Sequence, residues 1–184
     1  MTSIAESPDP SLRDLDLVRL FQSGDRTGFD RLVEVHRRDV YRLAYRLVGN
    51  HADADDLAQE AFLRVYRSLG RFRGESSFKT WLTRIVLNLA KDRRRLLATR
   101  RDAPLDELRD VEQPAPGDRL GFLRREQIRK AVGQLPRRQR ETLILRVFQE
   151  MKFQEIARVM GCTVGTAKAN FFHAVRGLKQ RVGG

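Results

Sequence analysis

Apolar residues recur along the chain at spacings of three and four, the signature of helices with one packed side. No stretch shows the strict two-residue alternation of a half-buried strand. A short helix fits Leu15 to Gln22 and ends at Gly24. A longer one runs from about Phe29 to Val48, with Phe29, Val33, Val40, Leu43, Ala44 and Leu47 on one stripe and Gly49 as its stop signal. A third starts near Asp53, whose carboxylate can cap it, and reaches about Leu69. A fourth begins at Ser76 or Ser77 and enters an arginine cluster. Four more are predicted near 121–134, 136–149, 153–160 and 164–181. Pro136 suits the first turn of its helix, where its missing N–H costs nothing. The pattern predicts an all-α protein in two small helical bundles.

Charge turns that pattern into a domain map. Residues 1–90 carry 14 basic and 13 acidic side chains, nearly in balance. The run KDRRRLLATRR (91–101) has six basic and one acidic, and DAPLDELRDVEQPAPGD (102–118) has one basic and six acidic. Residues 119–184 have 15 basic and four acidic. Pro104, Pro114, Pro116 and Gly117 break helices, so 102–118 is expected to be a flexible acidic linker. It separates a domain at 14–101 from one at 119–184, with a disordered N-terminus expected at 1–13.

Composition narrows the function classes. The apolar fraction of 41% suffices for packed cores, and a net charge of +12 favours a polyanionic partner. No apolar run approaches the roughly 20 residues of a membrane span. The opening MTSIAESPDP lacks the charged start and apolar core of an export signal, so a cytoplasmic location is expected. A single cysteine, Cys162, excludes an internal disulfide, and with three scattered histidines it forms no metal-ligand cluster. No Walker loop, nucleophile–base pair or paired-carboxylate site is evident. Neither catalysis, a cofactor nor a small-molecule substrate is expected.

The last part of the chain, FQEIARVMGCTVGTAKANFFHAVRGLKQRV, has the layout of a helix-turn-helix. Ile156 and Ala157 belong to a short first helix, Gly161 makes the turn, and Thr163 can cap the second helix. At about 100° per residue, Val164, Ala167, Phe171, Val175 and Leu178 share a narrow arc, which is the expected packed face. The opposite arc shows Thr166, Ala169, His173, Arg176 and Gln180, flanked by Lys168, Asn170 and Phe172. Donors, cations, a methyl and an exposed ring are the groups that read base edges and phosphates in a major groove. An ordinary amphipathic helix with a solvated polar face is the competing reading.

A second unusual stretch is RFRGESSFKTW, residues 71–81, which crowds aromatic rings, hydroxyls and arginines just before a helix. A nucleic-acid base drawn out of its stack needs a ring to lie against and polar groups for its exposed edge. On the following helix Phe78, Trp81, Leu82, Ile85 and Leu89 are assigned to the interior, while Arg84, Asn88 and Lys91 line one flank. On the preceding helix Leu57, Ala58, Ala61, Phe62, Val65 and Leu69 form the buried arc. Its other side shows Asp56, Gln59, Glu60 and Arg67, with Leu63 among them as an apolar centre ringed by polar groups.

These two blocks, DADDLAQEAFLRVYRSLGRFRGESSFKTWLTRIVLNLAKDRRR and LPRRQRETLILRVFQEMKFQEIARVMGCTVGTAKANFFHAVRGLK, resemble the second and fourth regions of sigma factors, the promoter-recognition subunits of bacterial RNA polymerase. With only those regions and a short linker, the chain resembles the extracytoplasmic-function (ECF) group of the sigma-70 family. The resemblance implies a sigma factor that binds core RNA polymerase, recognises promoter DNA and melts it. By position in the motifs, Asp56, Gln59, Glu60, Leu63 and Arg67 would meet the β′ clamp helices. Phe72 would be the ring or wall for a flipped minus-ten base and Asn88 its edge reader. Ser76 and Ser77 would add hydrogen bonds, with Arg84 and Lys91 on phosphates. Thr166, Lys168, Ala169, Asn170, Phe172, His173 and Arg176 would face the minus-thirty-five element. The β flap and an anti-sigma factor are further implied partners.

For several of these positions a plainer reading stands beside the implied one. Phe72 could be a buried loop anchor, and the polar side of 53–69 a solvated face. The cluster KDRRR with Arg100 and Arg101 could be a phosphate-binding run or a solvated helix end. Family recognition helices often read VGTVKSRLHRARKAL where this chain has VGTAKANFFHAVRGL. Ala169 and Asn170 stand in place of serine and arginine, which removes a groove-facing cation, and Asn170 suits adenine. A stand-alone helix-turn-helix regulator of duplex DNA is the alternative function. It needs no base-capturing loop.

Overall fold

The computed structural model describes residues 10–99 and 119–182. They fall in two compact units, Met1–Leu108 and Arg109–Gly184. The first holds α1 (Pro10–Gln22), α2 (Thr27–Val48), α3 (His51–Ser68), a 3-10 turn (Leu69–Arg71) and α4 (Phe78–Thr99). The second holds α5 (Arg119–Gly133), α6 (Arg137–Val147), α7 (Phe153–Met160) and α8 (Val164–Val182). Every regular element among the described residues is helical, as the period predicted. Helix α1 begins inside the segment expected to be disordered, so residues 10–13 correct that expectation. The acidic segment 102–118, with Arg100 and Arg101, lies outside the described residues.

The first unit is built on α2. Its predicted stripe is buried at Val40, Leu43, Ala44 and Leu47, while Phe29 and Val33 are only half-buried. Leu32 and His36 take the deeper places, because the inner side of α2 turns to meet α1. There the Nε2 of His36 lies 2.9 Å from the carboxylate of buried Asp14. A carboxylate only accepts, so the imidazole nitrogen facing it is the donor. Close approach of α1 and α2 requires Gly28, since a Cβ there would sit 2.4 Å from the Leu17 carbonyl oxygen. The start of α2 is held by Asp25, which accepts the Thr27 N–H at 2.9 Å and its hydroxyl at 2.7 Å. Those bonds hold the Asp25 carboxyl below its usual pKa, the hydroxyl contributing most.

Helix ends follow local chemistry. Gly49 closes α2 at φ 91°, the left-handed conformation a stop signal needs. The cap of α3 is Asn50 rather than Asp53: the Asn50 side chain accepts the Asp53 N–H at 2.8 Å, and its amide donates to the Asp53 carboxylate at 2.8 Å. Asp53 is thus the third residue of a reciprocal cap, one turn later than its sequence position suggested. Leu57, Ala61 and Val65 face α2 and α4 from the buried side of α3. On α4, Phe78, Leu82 and Leu89 are buried as predicted, and Val86 joins them.

In the second unit Leu135, Leu143 and Ala174 form the centre, with Val132, Phe171, Val175 and Leu178 packed around it. Pro136 is the cap before α6 rather than its first turn, in an extended conformation with ψ 138°. Gly161 ends α7 at φ 61°, and the Thr163 hydroxyl accepts the Thr166 N–H at 3.1 Å to open α8. The helix-turn-helix layout read from the sequence is therefore present, residue for residue, at its turn and cap.

Candidate functional site

The loop after the 3-10 turn carries an aromatic corner. The Phe72 ring lies 5.0 Å from Trp81 and 6.2 Å from Phe78, centroid to centroid, the latter edge-on. Phe78 is fully buried and anchors the corner, whereas Phe72 and Trp81 are half-buried. The helical period places Trp81 in the interior. Buried Phe78 and Leu82 take the inner positions instead, and Trp81 is left lying against Phe72. Trp81, Arg84 and Asn88 follow at i, i+3 and i+7, one side of α4, and Arg84, Asn88 and Lys91 are all exposed. A half-open ring surface thus adjoins a polar, cationic helix flank.

The two serines differ in availability. The Ser77 hydroxyl accepts the Thr80 N–H at 3.1 Å and pairs with the Thr80 hydroxyl at 2.8 Å, so it serves as the cap of α4. Ser76 makes a longer 3.3 Å bond to the Ser77 carbonyl and is half-buried. Gly74 turns the loop at φ 71°.

Along α3, Asp56, Gln59, Leu63 and Arg67 are exposed and Glu60 is half-buried; Leu63 is 51% exposed. Asp56 already has an internal partner. Arg93 of α4 donates to its carboxylate at 3.1 Å and also to Asp53. Burial works against the Arg93 charge, but the bond to Asp56 and the field of Asp53 outweigh it and raise its pKa above the ordinary guanidinium value. Within the cluster KDRRR, then, Arg93 ties α4 to α3, and Lys91 and Arg95 remain on the surface.

On α8 the arc opposite the core is open: Thr166, Lys168, Ala169, Phe172, His173 and Arg176 are exposed. Phe172 is 63% exposed and stands edge-on to His173 at 5.7 Å. Asn170 differs from its neighbours on the predicted reading face. It is half-buried, and its amide nitrogen is covered without a hydrogen-bond partner. Its position lies between the open arc and the packed arc of Ala167, Phe171 and Ala174, which accounts for the difference. The turn is stiffened by Phe153 and Phe171, 5.7 Å apart and edge-on, and by Arg146 over the Phe153 ring at 5.3 Å.

Sequence reasoning missed two residues of this arrangement. Arg93 was visible only as one cation in a run. Gln22 donates to the carbonyls of Leu69 and Phe72 at 3.2 and 3.0 Å, a link across about fifty residues that no periodicity signals. Among the described residues no group of three or more His, Cys, Asp or Glu is placed to hold a metal, and no helix is long and apolar enough to cross a membrane.

Comparison with known proteins follows the same division. The family model Sigma-70 region 2 matches residues 32–100, and Sigma-70, region 4 matches residues 125–178. The RNA polymerase sigma-H factor of Pseudomonas aeruginosa is 38% identical over 179 residues, 88% of this chain and 90% of that protein. The ECF RNA polymerase sigma-E factor of Escherichia coli K12 is 33% identical over 184 residues, 93% of this chain and 95% of that one. Among solved structures, CnrH in complex with the cytosolic domain of CnrY has a TM-score of 0.70 at 24% identity, covering 91% of this chain and 96% of that one. The sigma factor RpoE in complex with the anti-sigma factor NepR from Bartonella quintana has a TM-score of 0.71 at 24% identity, covering 84% and 96%. These two share the fold.

Proposed function

The chain belongs to the ECF group of the sigma-70 family and is an RNA polymerase sigma factor directing promoter-specific transcription; from that premise we propose how its surfaces divide the work. The α3 face around Leu63, with Asp56, Gln59, Glu60 and Arg67, meets the polymerase β′ clamp helices. The loop and α4 flank open the minus-ten element, with Phe72 as the ring and Asn88 as the edge reader. Arg84 and Lys91 hold the strand, and Ser76 adds a hydrogen bond. The open arc of α8 enters the minus-thirty-five groove, with Lys168 and Arg176 on phosphates and Phe172 and His173 towards base edges. The protein itself is not catalytic; polymerase performs the chemistry. It works in the cytoplasm, and an anti-sigma factor is its expected regulator, as in the complex of the Bartonella RpoE with NepR.

The observation that carries the melting role is the half-open Phe72 ring beside a polar helix flank. A ring fully buried as a loop anchor would offer nothing to a base. Extrusion of a base costs a few kcal/mol, and stacking on an aromatic ring returns about 1–3 kcal/mol of it. Phe72→Ala or Asn88→Ala is therefore expected to slow open-complex formation by the assembled holoenzyme roughly tenfold or more. Affinity for core polymerase and for the upstream duplex should be retained. Stopped-flow fluorescence on a labelled promoter measures this; unchanged opening rates in both variants would remove the pocket from this loop.

A further inference from the structure

We propose that Gln22 is a positioning residue for promoter opening: its side-chain amide fixes the turn that presents Phe72. The inference rests on the reading of Phe72 as the ring that receives the unpaired base.

The turn between α3 and the loop is closed by its own bond, from the Phe72 N–H to the Leu69 carbonyl at 3.1 Å. Gln22, the last residue of α1, adds a second closure from outside. Its amide nitrogen donates to the same Leu69 carbonyl at 3.2 Å and to the Phe72 carbonyl at 3.0 Å. Two N–H groups on one nitrogen thus span both ends of the turn. The backbone beyond Phe72 cannot swing without breaking one of them.

The geometry of α1 makes this the purpose of the side chain rather than an incidental contact. The end of α1 is already finished by backbone bonds, from Ser23 to Arg19, Gly24 to Phe21 and Asp25 to Leu20. Its own helix therefore does not call on the Gln22 amide. Leu15, two turns earlier on α1, lies below the same loop, 3.8 Å from where a Cβ on Gly74 would sit. The loop rests on α1 at two points, one apolar and one a double donor. On the far side, Phe72 rests on Trp81 and Phe78. The ring is held between a stapled backbone and an aromatic wall, which leaves it little freedom to rearrange before a base arrives.

Preorganisation of this kind lowers the ordering that binding would otherwise require. Two partly exposed hydrogen bonds together support an effect of roughly tenfold on the opening rate. The test compares holoenzymes carrying Gln22→Glu, Gln22→Ala, Phe72→Ala and the Gln22→Ala/Phe72→Ala pair in promoter-opening kinetics. Gln22→Glu keeps the stem and its volume but turns a carboxylate towards two carbonyl oxygens. It is expected to slow opening at least as much as Gln22→Ala, with polymerase affinity unchanged. The paired variant is expected to be no slower than Phe72→Ala alone, because Gln22 acts through that ring.

An effect that adds to Phe72→Ala, or that tracks a lowered melting midpoint in Gln22→Ala and is absent from Gln22→Glu, overturns the positioning role and makes Gln22 a general stabiliser. Normal opening in both Gln22 variants, with Phe72→Ala slow, overturns the inference and leaves the pocket in place. Normal opening in Phe72→Ala overturns the role of Phe72 as the receiving ring and the inference together.

Discussion

Gly28 shows how much one absent atom decides. Both the Leu17 carbonyl and the Phe21 nitrogen lie within 2.8 Å of where its Cβ would be. Both are backbone atoms of α1, so neither can step aside as a side-chain tip would. Forcing a methyl group between two packed backbones costs about 1–3 kcal/mol. Alanine regains at most about 1 kcal/mol over glycine in a helix, and less in the first turn, so the clash wins. Gly28→Ala should lower the urea midpoint of unfolding with the slope unchanged; equal or greater stability would mean that α1 can draw back freely. The same approach brings Asp14 to His36, so the variant should also loosen a buried polar pair. Nothing in the sequence distinguishes this glycine from Gly24, four positions earlier in the turn. The requirement comes from another helix.

At the scale of helices, Arg93 joins α4 to α3, the elements proposed to face DNA and polymerase. It bridges from α4 to two carboxylates on α3, and their exposure differs: the Asp53 side chain is 29% exposed and Asp56 65%. Solvent screens the Asp56 bond and largely spares the other. Arg93→Ala should therefore destabilise the first unit by about 1–2 kcal/mol, and a double-mutant cycle should show stronger coupling to Asp53 than to Asp56. Reversed coupling would show that the outer carboxylate carries the join. Helices themselves were legible in the sequence, because a 3.6-residue period, Gly49, Gly161 and Thr163 are local signals that tertiary packing left intact. What the sequence hid was what helices do to one another. Asn50 outcompeted Asp53 as a cap by a one-turn offset, Trp81 was displaced outward by Phe78 and Leu82, and Arg93 was spent on α3 instead of phosphate. The candidate site was legible as a set of mostly exposed positions on α3, α4 and α8. Asn170, half-covered at the border of two arcs, marks where counting 100° per residue stops resolving inside from outside.

Charge acts at the scale of the whole molecule. Residues 119–184 carry 15 of the 36 basic side chains and only four of the 24 acidic ones, so the recognition unit approaches DNA as a polycation. Affinity for duplex DNA should then fall linearly in log–log form with salt, as condensed counterions are released. The two kinds of group on the open arc of α8 can be separated on that plot. Arg176→Ala removes one proposed phosphate contact and should reduce the magnitude of the slope by about 1, weakening all sequences alike. Phe172→Ala removes an uncharged ring and should leave the slope alone while flattening preference among bases, since apolar contact reads the thymine methyl. Fluorescence anisotropy of the full chain or its holoenzyme on upstream duplexes, titrated at several salt concentrations, distinguishes the two. A changed slope for Phe172→Ala, or an unchanged one for Arg176→Ala, would exchange their assignments. It would also turn the groove-facing side of α8 by about 40°, roughly a ninth of a turn, which is the offset between two positions four residues apart on one helix.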